Sequence, residues 1–242
     1  MLCDYNCKIL DLDRCKLHLG DKSLLKNEFE KVIFDINALG SLGFHRLICP
    51  IKQDELNSIP QIKNNLIPLK NVFQKEITKH LNGNFSLSFV PLIYLSKDAP
   101  YIKNIQKLTA LKSNYIFLEL PFSHMPDYVP PAINKILYEC KLFPVFSEFH
   151  ICVATYNAED IKKLTNIKGA AFQFGIKHIN LPRNINLIKH ILKNGNVILL
   201  GSSCDHDNLN ISEIEKNIKA LKRNLGDALY ITLVMRARSF LM

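Results

Sequence analysis

With 242 residues, 48% of them hydrophobic and 22% charged, the chain has the make-up of an ordinary globular protein, long enough for one large barrel or two small domains. Its formal charge of +9 is carried by lysines spread singly along helix-like segments. With no Arg-rich arm, base-reading module or interleaved basic and aromatic stripe, that pattern argues against a nucleic-acid partner.

The first strand expected from short β-branched or aromatic apolar runs is Lys8 to Leu12. A helical period follows from about Ser23 to Leu39, with Leu24, Leu25, Phe29, Val32, Ile33, Ile36 and Leu39 near one face and Gly40 placed to cap the end. Next come a strand at His45 to Cys49, a helix at about Leu66 to His80, and strands at Ser86 to Val90 and Tyr115 to Glu119. The second half reads as helix Ala132 to Cys140, strand Phe143 to Ser147, helix Ala158 to Leu164, strand Ala170 to Phe174, helix Ile185 to Lys193, strand Asn196 to Leu200 and helix Ile211 to Leu225. Asn157 stands as an N-cap, and Gly195 and Gly226 fall where helices should stop.

Strands alternating with helices favour parallel pairing, because each parallel connection needs a crossover long enough to hold a helix. Seven such units close into a barrel. No composition shift, Pro/Gly/Ser linker or fixed-period repeat divides the chain, so residues 1–242 read as a single α/β domain.

In a parallel barrel the side chains that act on ligands come from the C-terminal strand ends and the loops after them. Those places hold Asp11, Asp13 and Cys15, then Pro50, Glu119, Glu148, His150 and Gln173, and finally Ser202, Ser203, Asp205, His206 and Asp207. The seven cysteines (Cys3, Cys7, Cys15, Cys49, Cys140, Cys152, Cys204) are an odd number without paired spacing, which indicates reduced thiols. Cys49, Cys140, Cys152 and Cys204 lie on or near apolar segments and read as packing residues.

The run Tyr115-Ile-Phe-Leu-Glu-Leu-Pro-Phe122, the strand Phe143-Pro-Val-Phe-Ser147 and the Ala-Phe-Gln-Phe-Gly run at 171–175 carry a resemblance across nearly the whole chain. In this order they resemble the PHP-superfamily, manganese-dependent tyrosine phosphatases of bacterial capsule and exopolysaccharide synthesis. The resemblance implies a PHP-type distorted (β/α)7 barrel whose strand ends hold a metal cluster that activates water toward a phosphotyrosine ester. It also makes a homo-oligomer a reasonable expectation.

The metal motifs of that family are largely replaced. Its His-x-His after the first strand falls on Asp13-Arg-Cys15, and its Thr-Pro-His-His on Cys49-Pro-Ile-Lys52, where Ile51 has no donor and Lys52 brings a competing positive charge. A family glutamate after the third strand meets Leu92. Ala-His-Pro-Glu-Arg becomes Ser147-Glu-Phe-His-Ile151, and Ser-Asp-Ala-His falls on Ser202-Ser-Cys-Asp205 with His206 one place later.

Two readings follow. In the first the chain is a catalytically silent pseudophosphatase without a metal cofactor, which binds an acidic or phosphorylated segment such as the tail of a tyrosine kinase. In the second Asp13, Cys15, Glu148, His150, Ser203, Asp205 and His206 form a remodelled centre for manganese or another divalent metal; the bland counterpart is that they are hydrated loop residues, which their mixed ligand softness favours. The expected location is the cytoplasm. No stretch reaches the roughly 18 to 20 apolar residues of a membrane span, and the N-terminus lacks the order of a signal peptide.

Overall fold

The computed structural model describes residues 2–5, 22–53, 86–110, 113–202 and 209–240. The expected strand Lys8 to Leu12 and helix Leu66 to His80 lie outside them.

The described chain forms a seven-stranded, wholly parallel sheet in sequential order, with strands β1 Leu2–Asp4, β2 Phe44–Gln53, β3 Ser86–Tyr94, β4 Tyr115–Glu119, β5 Phe143–Phe146, β6 Ala171–Gly175 and β7 Val197–Gly201. The edges meet. Tyr5 N–H donates to Leu200 O at 2.8 Å, and Ser202 N–H donates to the Asp4 carboxylate at 2.9 Å, so the sheet curls into a barrel, as the strand and helix alternation anticipates and in the distorted form that the resemblance implies.

Around it lie helices α1 Lys22–Ser41, α2 Val129–Tyr138, α3 Phe149–Thr155, α4 Ala158–Thr165, α5 Pro182–Lys193, α6 Ile211–Leu225 and α7 Asp227–Ser239, with short 3-10 turns at Ala99–Tyr101 and Ile105–Leu108. Proline in the first turn of α2 and of α5 fits a helix start, where an N–H would have no intrahelical acceptor anyway. Asn157 caps α4 by accepting Asp160 N–H at 2.8 Å, and Asn210 caps α6 through Glu213 N–H at 3.1 Å.

Because strand side chains alternate between faces, each strand builds two cores. Ile116, Leu118, Phe146, Phe172, Phe174, Ile198 and Leu200 point outward into the layer shared with the helices, where Phe146, Phe149, Phe172 and Phe174 stack with centroids 4.8–6.0 Å apart. Ile48, Val90, Leu92, Phe117, Val145, Ala171 and Leu199 fill the interior. Its N-terminal end is closed by α7: Phe240 packs on Tyr115 at 4.1 Å and on Tyr5 at 6.0 Å, while the Tyr5 hydroxyl donates to Ala237 O.

Several boundaries differ from the sequence expectation. β2 does not end at Cys49; its ladder with β3 continues to Gln53↔Ile93, carrying Pro50, Ile51 and Lys52 inside a strand instead of a loop. Gly40 lies within α1, and the left-handed turn that follows belongs to Gly43, at φ +87°. Helices α3 and α7 have no counterpart in the sequence expectation. The seven residues of α3 are too few to display a period, and α7 begins directly after Gly226, whose φ of +77° reverses the chain with no linker.

Candidate functional site at the barrel mouth

The interior face changes character toward the C-terminal strand ends. Odd-numbered residues of β4, β5 and β6 point inward, and above Phe117, Val145 and Ala171 the next inward positions are Glu119, Ser147 and Gln173. The three are neighbours on adjacent strands: Ser147 N–H extends the ladder to Leu118 O at 2.9 Å, and the Ser147 hydroxyl donates to Gln173 Oε1 at 3.3 Å. All three are buried.

Two features order this polar layer. The Lys52 ammonium, reaching across from the extended part of β2, lies 2.7 Å from Glu119 Oε1. Glu119 has a side chain only 9% exposed, so a partner of opposite charge is what makes its ionised form tolerable there. Gln173 Oε1 also accepts Glu148 N–H at 2.6 Å, which fixes the amide orientation and leaves the buried Nε2 with no hydrogen-bond partner among the described residues.

Glu148, directly after β5, sits in the left-handed region at φ 48°, ψ 39°. For a residue with a Cβ that conformation costs roughly 1–2 kcal/mol. It places Glu148 at the N-cap and His150 in the first turn of α3, beside the rim. His150 Nδ1 accepts Gly175 N–H at 3.2 Å, and its ring stacks on His178 with centroids 4.6 Å apart and planes 14° apart. In the sequence His178 stands alone, and only the turn after β6 brings it to His150.

Below the rim, burial pushes the Cys152 thiol up to about 12 and also raises the Tyr156 phenol, whose hydroxyl donates to Pro121 O. Cys152, like Cys49, is a buried free cysteine used for packing. Asp4, which sequence reasoning passes over, is fully buried and ties β1 to β7.

Of the residues singled out as metal-site remnants, Glu148 and His150 stand together on the rim, whereas Asp13, Cys15, Ser203, Asp205 and His206 lie outside the described residues. Among the described residues, no three His, Cys, Asp or Glu side chains gather as a metal would require. Glu119 is engaged by an ammonium, Ile51 offers no donor, and Nδ1 of His150 is taken by a backbone N–H, so the described part of the mouth does not fit a divalent cluster. With the first described strand at Leu2–Asp4, the position just after it is Tyr5, a buried structural residue.

The same architecture is found in solved structures. The chain resembles, at a TM-score of 0.69 with 15% identity and coverage of 99% of this chain and 94% of the other, a structure reported among YwqE from Bacillus subtilis and CpsB from Streptococcus pneumoniae, described as unique metal-dependent tyrosine phosphatases. A zinc-, histidinol- and phosphate-bound histidinol phosphate phosphatase from Lactococcus lactis follows at 0.50, with 9% identity over 92% of each chain. The phosphotriesterase from Mycobacterium tuberculosis stands at 0.51, with 10% identity over 99% of this chain and 92% of that one. No family model and no curated protein matches the sequence. The fold is therefore that of the PHP-type tyrosine phosphatases.

Proposed function

We propose that this chain is a pseudophosphatase: it keeps the barrel of the PHP-type tyrosine phosphatases but acts by binding a partner instead of hydrolysing phosphotyrosine. The observation that carries this reading is the Lys52–Glu119 ion pair, which puts an ammonium at the position where the resemblance expects a metal-binding histidine. A divalent cation placed against Glu119 would meet that positive charge at close range. Loss of every family histidine from its register points the same way, because a multi-metal centre needs many ligands to agree in geometry at once.

The partner class that suits the charge is an acidic or phosphorylated protein segment, such as the tail of a tyrosine kinase in capsule or exopolysaccharide regulation, met in the cytoplasm. The test is turnover of a phosphotyrosine peptide by freshly purified, metal-analysed protein, with and without added manganese. The expected result is no turnover in either condition; robust manganese-stimulated hydrolysis would overturn the reading.

A second reading rests on Glu148, whose left-handed backbone at the end of β5 is the kind of strain that functional sites retain. In it Glu148 and His150, with Asp13, Cys15, Ser203, Asp205 and His206, hold manganese or another divalent metal and the chain remains a hydrolase. It requires stoichiometric metal in protein purified without chelators.

No helix among the described residues is long and apolar enough to cross a membrane.

A further inference from the structure

The polar layer of the barrel mouth holds one buried carboxylate and one buried amide, each in an unusual position. Glu119 is carried to the inner face by the alternation of β4, and the cation beside it is covalently part of the chain. Lys52 reaches it only because β2 runs on through Gln53. The lysine side chain is 64% exposed, so its ammonium meets Glu119 on one side and solvent on the other. An ammonium carries three donors, and Glu119 Oε1 lies at ion-pair distance, 2.7 Å, without hydrogen-bond geometry.

Gln173 is independent of that pair. Its residue is fully buried, its Oε1 is committed to Glu148 N–H and the Ser147 hydroxyl, and its Nε2 has no partner among the described residues. Flipping the amide would set its NH2 against the Glu148 N–H, so the orientation is determined by the network. A buried donor left without an acceptor is costly, and a ligand that supplies one recovers that cost. An exposed cation and an unsatisfied N–H donor in the same rim both ask for an anionic oxygen.

We propose that Lys52, held on Glu119, is the resident cation of this mouth, and that together with the Gln173 amide it makes the mouth a metal-independent site for the oxyanion of a phosphate group. This rests on the reading of the chain as a barrel that no longer depends on a metal cluster. It adds the residues that take over the charge and the class of ligand they receive. Glu119 acts as a positioning residue, orienting the ammonium, and Lys52 and Gln173 make the contacts.

The test is thermal unfolding of the full chain in EDTA, with inorganic phosphate, with a tyrosine-phosphorylated peptide and with the same peptide unphosphorylated. Binding to the folded state raises Tm by an amount that grows with the logarithm of ligand concentration relative to Kd. The expected result is a Tm rise of the wild type with phosphate or with the phosphopeptide, unchanged when manganese replaces EDTA and lost in Lys52→Met. A shift with both ligands identifies the phosphate group itself as sufficient, whereas a shift with the phosphopeptide alone identifies protein-borne phosphate as the ligand.

Lys52→Met strands Glu119 as an unpaired buried charge and stands to lose its fold. The double variant Lys52→Met/Glu119→Gln removes both charges, is expected to fold, and must still lose the shift. No shift in the wild type, a shift that needs manganese, an equal response to the unphosphorylated peptide, or a shift that survives in the double variant each overturns the proposal. Failure of the pseudophosphatase reading is measured separately, by peptide turnover. Metal-free phosphate binding is measured by Tm alone, so either idea can fail while the other stands.

Discussion

Gln173 Oε1 accepts the backbone N–H of Glu148 at 2.6 Å, a contact between β6 and the residue that carries the chain out of β5. It is what holds Glu148 in its left-handed conformation at φ 48° and so sets the direction in which α3 leaves the barrel. Gln173→Leu is expected to destabilise the protein by about 1–2 kcal/mol, the lower part of the range for leaving an N–H without its acceptor, because this one is partly buried. Gln173→Glu keeps an oxygen at that position. Urea unfolding midpoints give both values, and a leucine variant as stable as the wild type would show that the contact does not anchor the turn.

Gly169 precedes β6 at φ +79°, and a Cβ there would lie 2.7 Å from the ring of Phe143. Gly195 has a similar φ of +85° but open space around it. Gly195→Ala therefore meets only the backbone penalty, of order 1 kcal/mol, whereas Gly169→Ala meets that penalty and a steric one. The expected order of melting temperatures is wild type, then Gly195→Ala, then Gly169→Ala. Adding Phe143→Ala to Gly169→Ala should recover part of the difference; equal loss in the two single variants would show that the ring moves aside at no cost.

What could be read from the sequence, and what could not, follows the range of the signals. β4 lies at Tyr115–Glu119 and α6 at Ile211–Leu225, as expected, because an unbroken β-branched or aromatic run and a long amphipathic period are local properties. The end of β2 reads too early because Pro50 and Lys52 look like loop residues; their place in the strand is set by pairing with β3, a tertiary fact. The same holds for the site. Lys52 is visible as a charge foreign to the resembled motif, and Glu119 as a carboxylate at a strand end, but nothing local joins them. Inward parity on β4, β5 and β6 groups Glu119, Ser147 and Gln173 once the strands are in register, and it is register that the sequence leaves open. Asp4 escapes notice because β1 is only Leu2–Asp4, too short for alternation to show.

The outer core depends on one helix that sequence periodicity does not reveal. Phe149, in the first turn of α3, is fully buried and lies 4.8 Å from Phe172 and 5.9 Å from Phe174, ring to ring. Phe149→Ala should cost about 3–5 kcal/mol, the usual range for deleting a packed aromatic side chain. Phe149→Leu, which keeps most of the volume, should cost markedly less. Denaturant titration separates them, and a small loss in the alanine variant would mean that α3 contributes little to the barrel's outer layer.

The Cys152 thiol is fully buried, and that burial is the main reason its pKa rises from 9.0 to about 12. Between those values the folded protein keeps its proton while the unfolded chain releases it. Stability is therefore untouched by this group below about pH 9 and falls as pH climbs through the window, at a limiting slope of about 1.4 kcal/mol per pH unit for one proton. Cys152→Ala removes the titration. Its unfolding free energy should thus fall less steeply than that of the wild type above about pH 9, whatever offset the lost packing introduces at neutral pH. Parallel slopes for the two proteins would show that Cys152 is not the group that resists ionisation in the folded core. Thiol-reagent kinetics supply an independent check, with Cys152 expected to react at neutral pH only after unfolding exposes it.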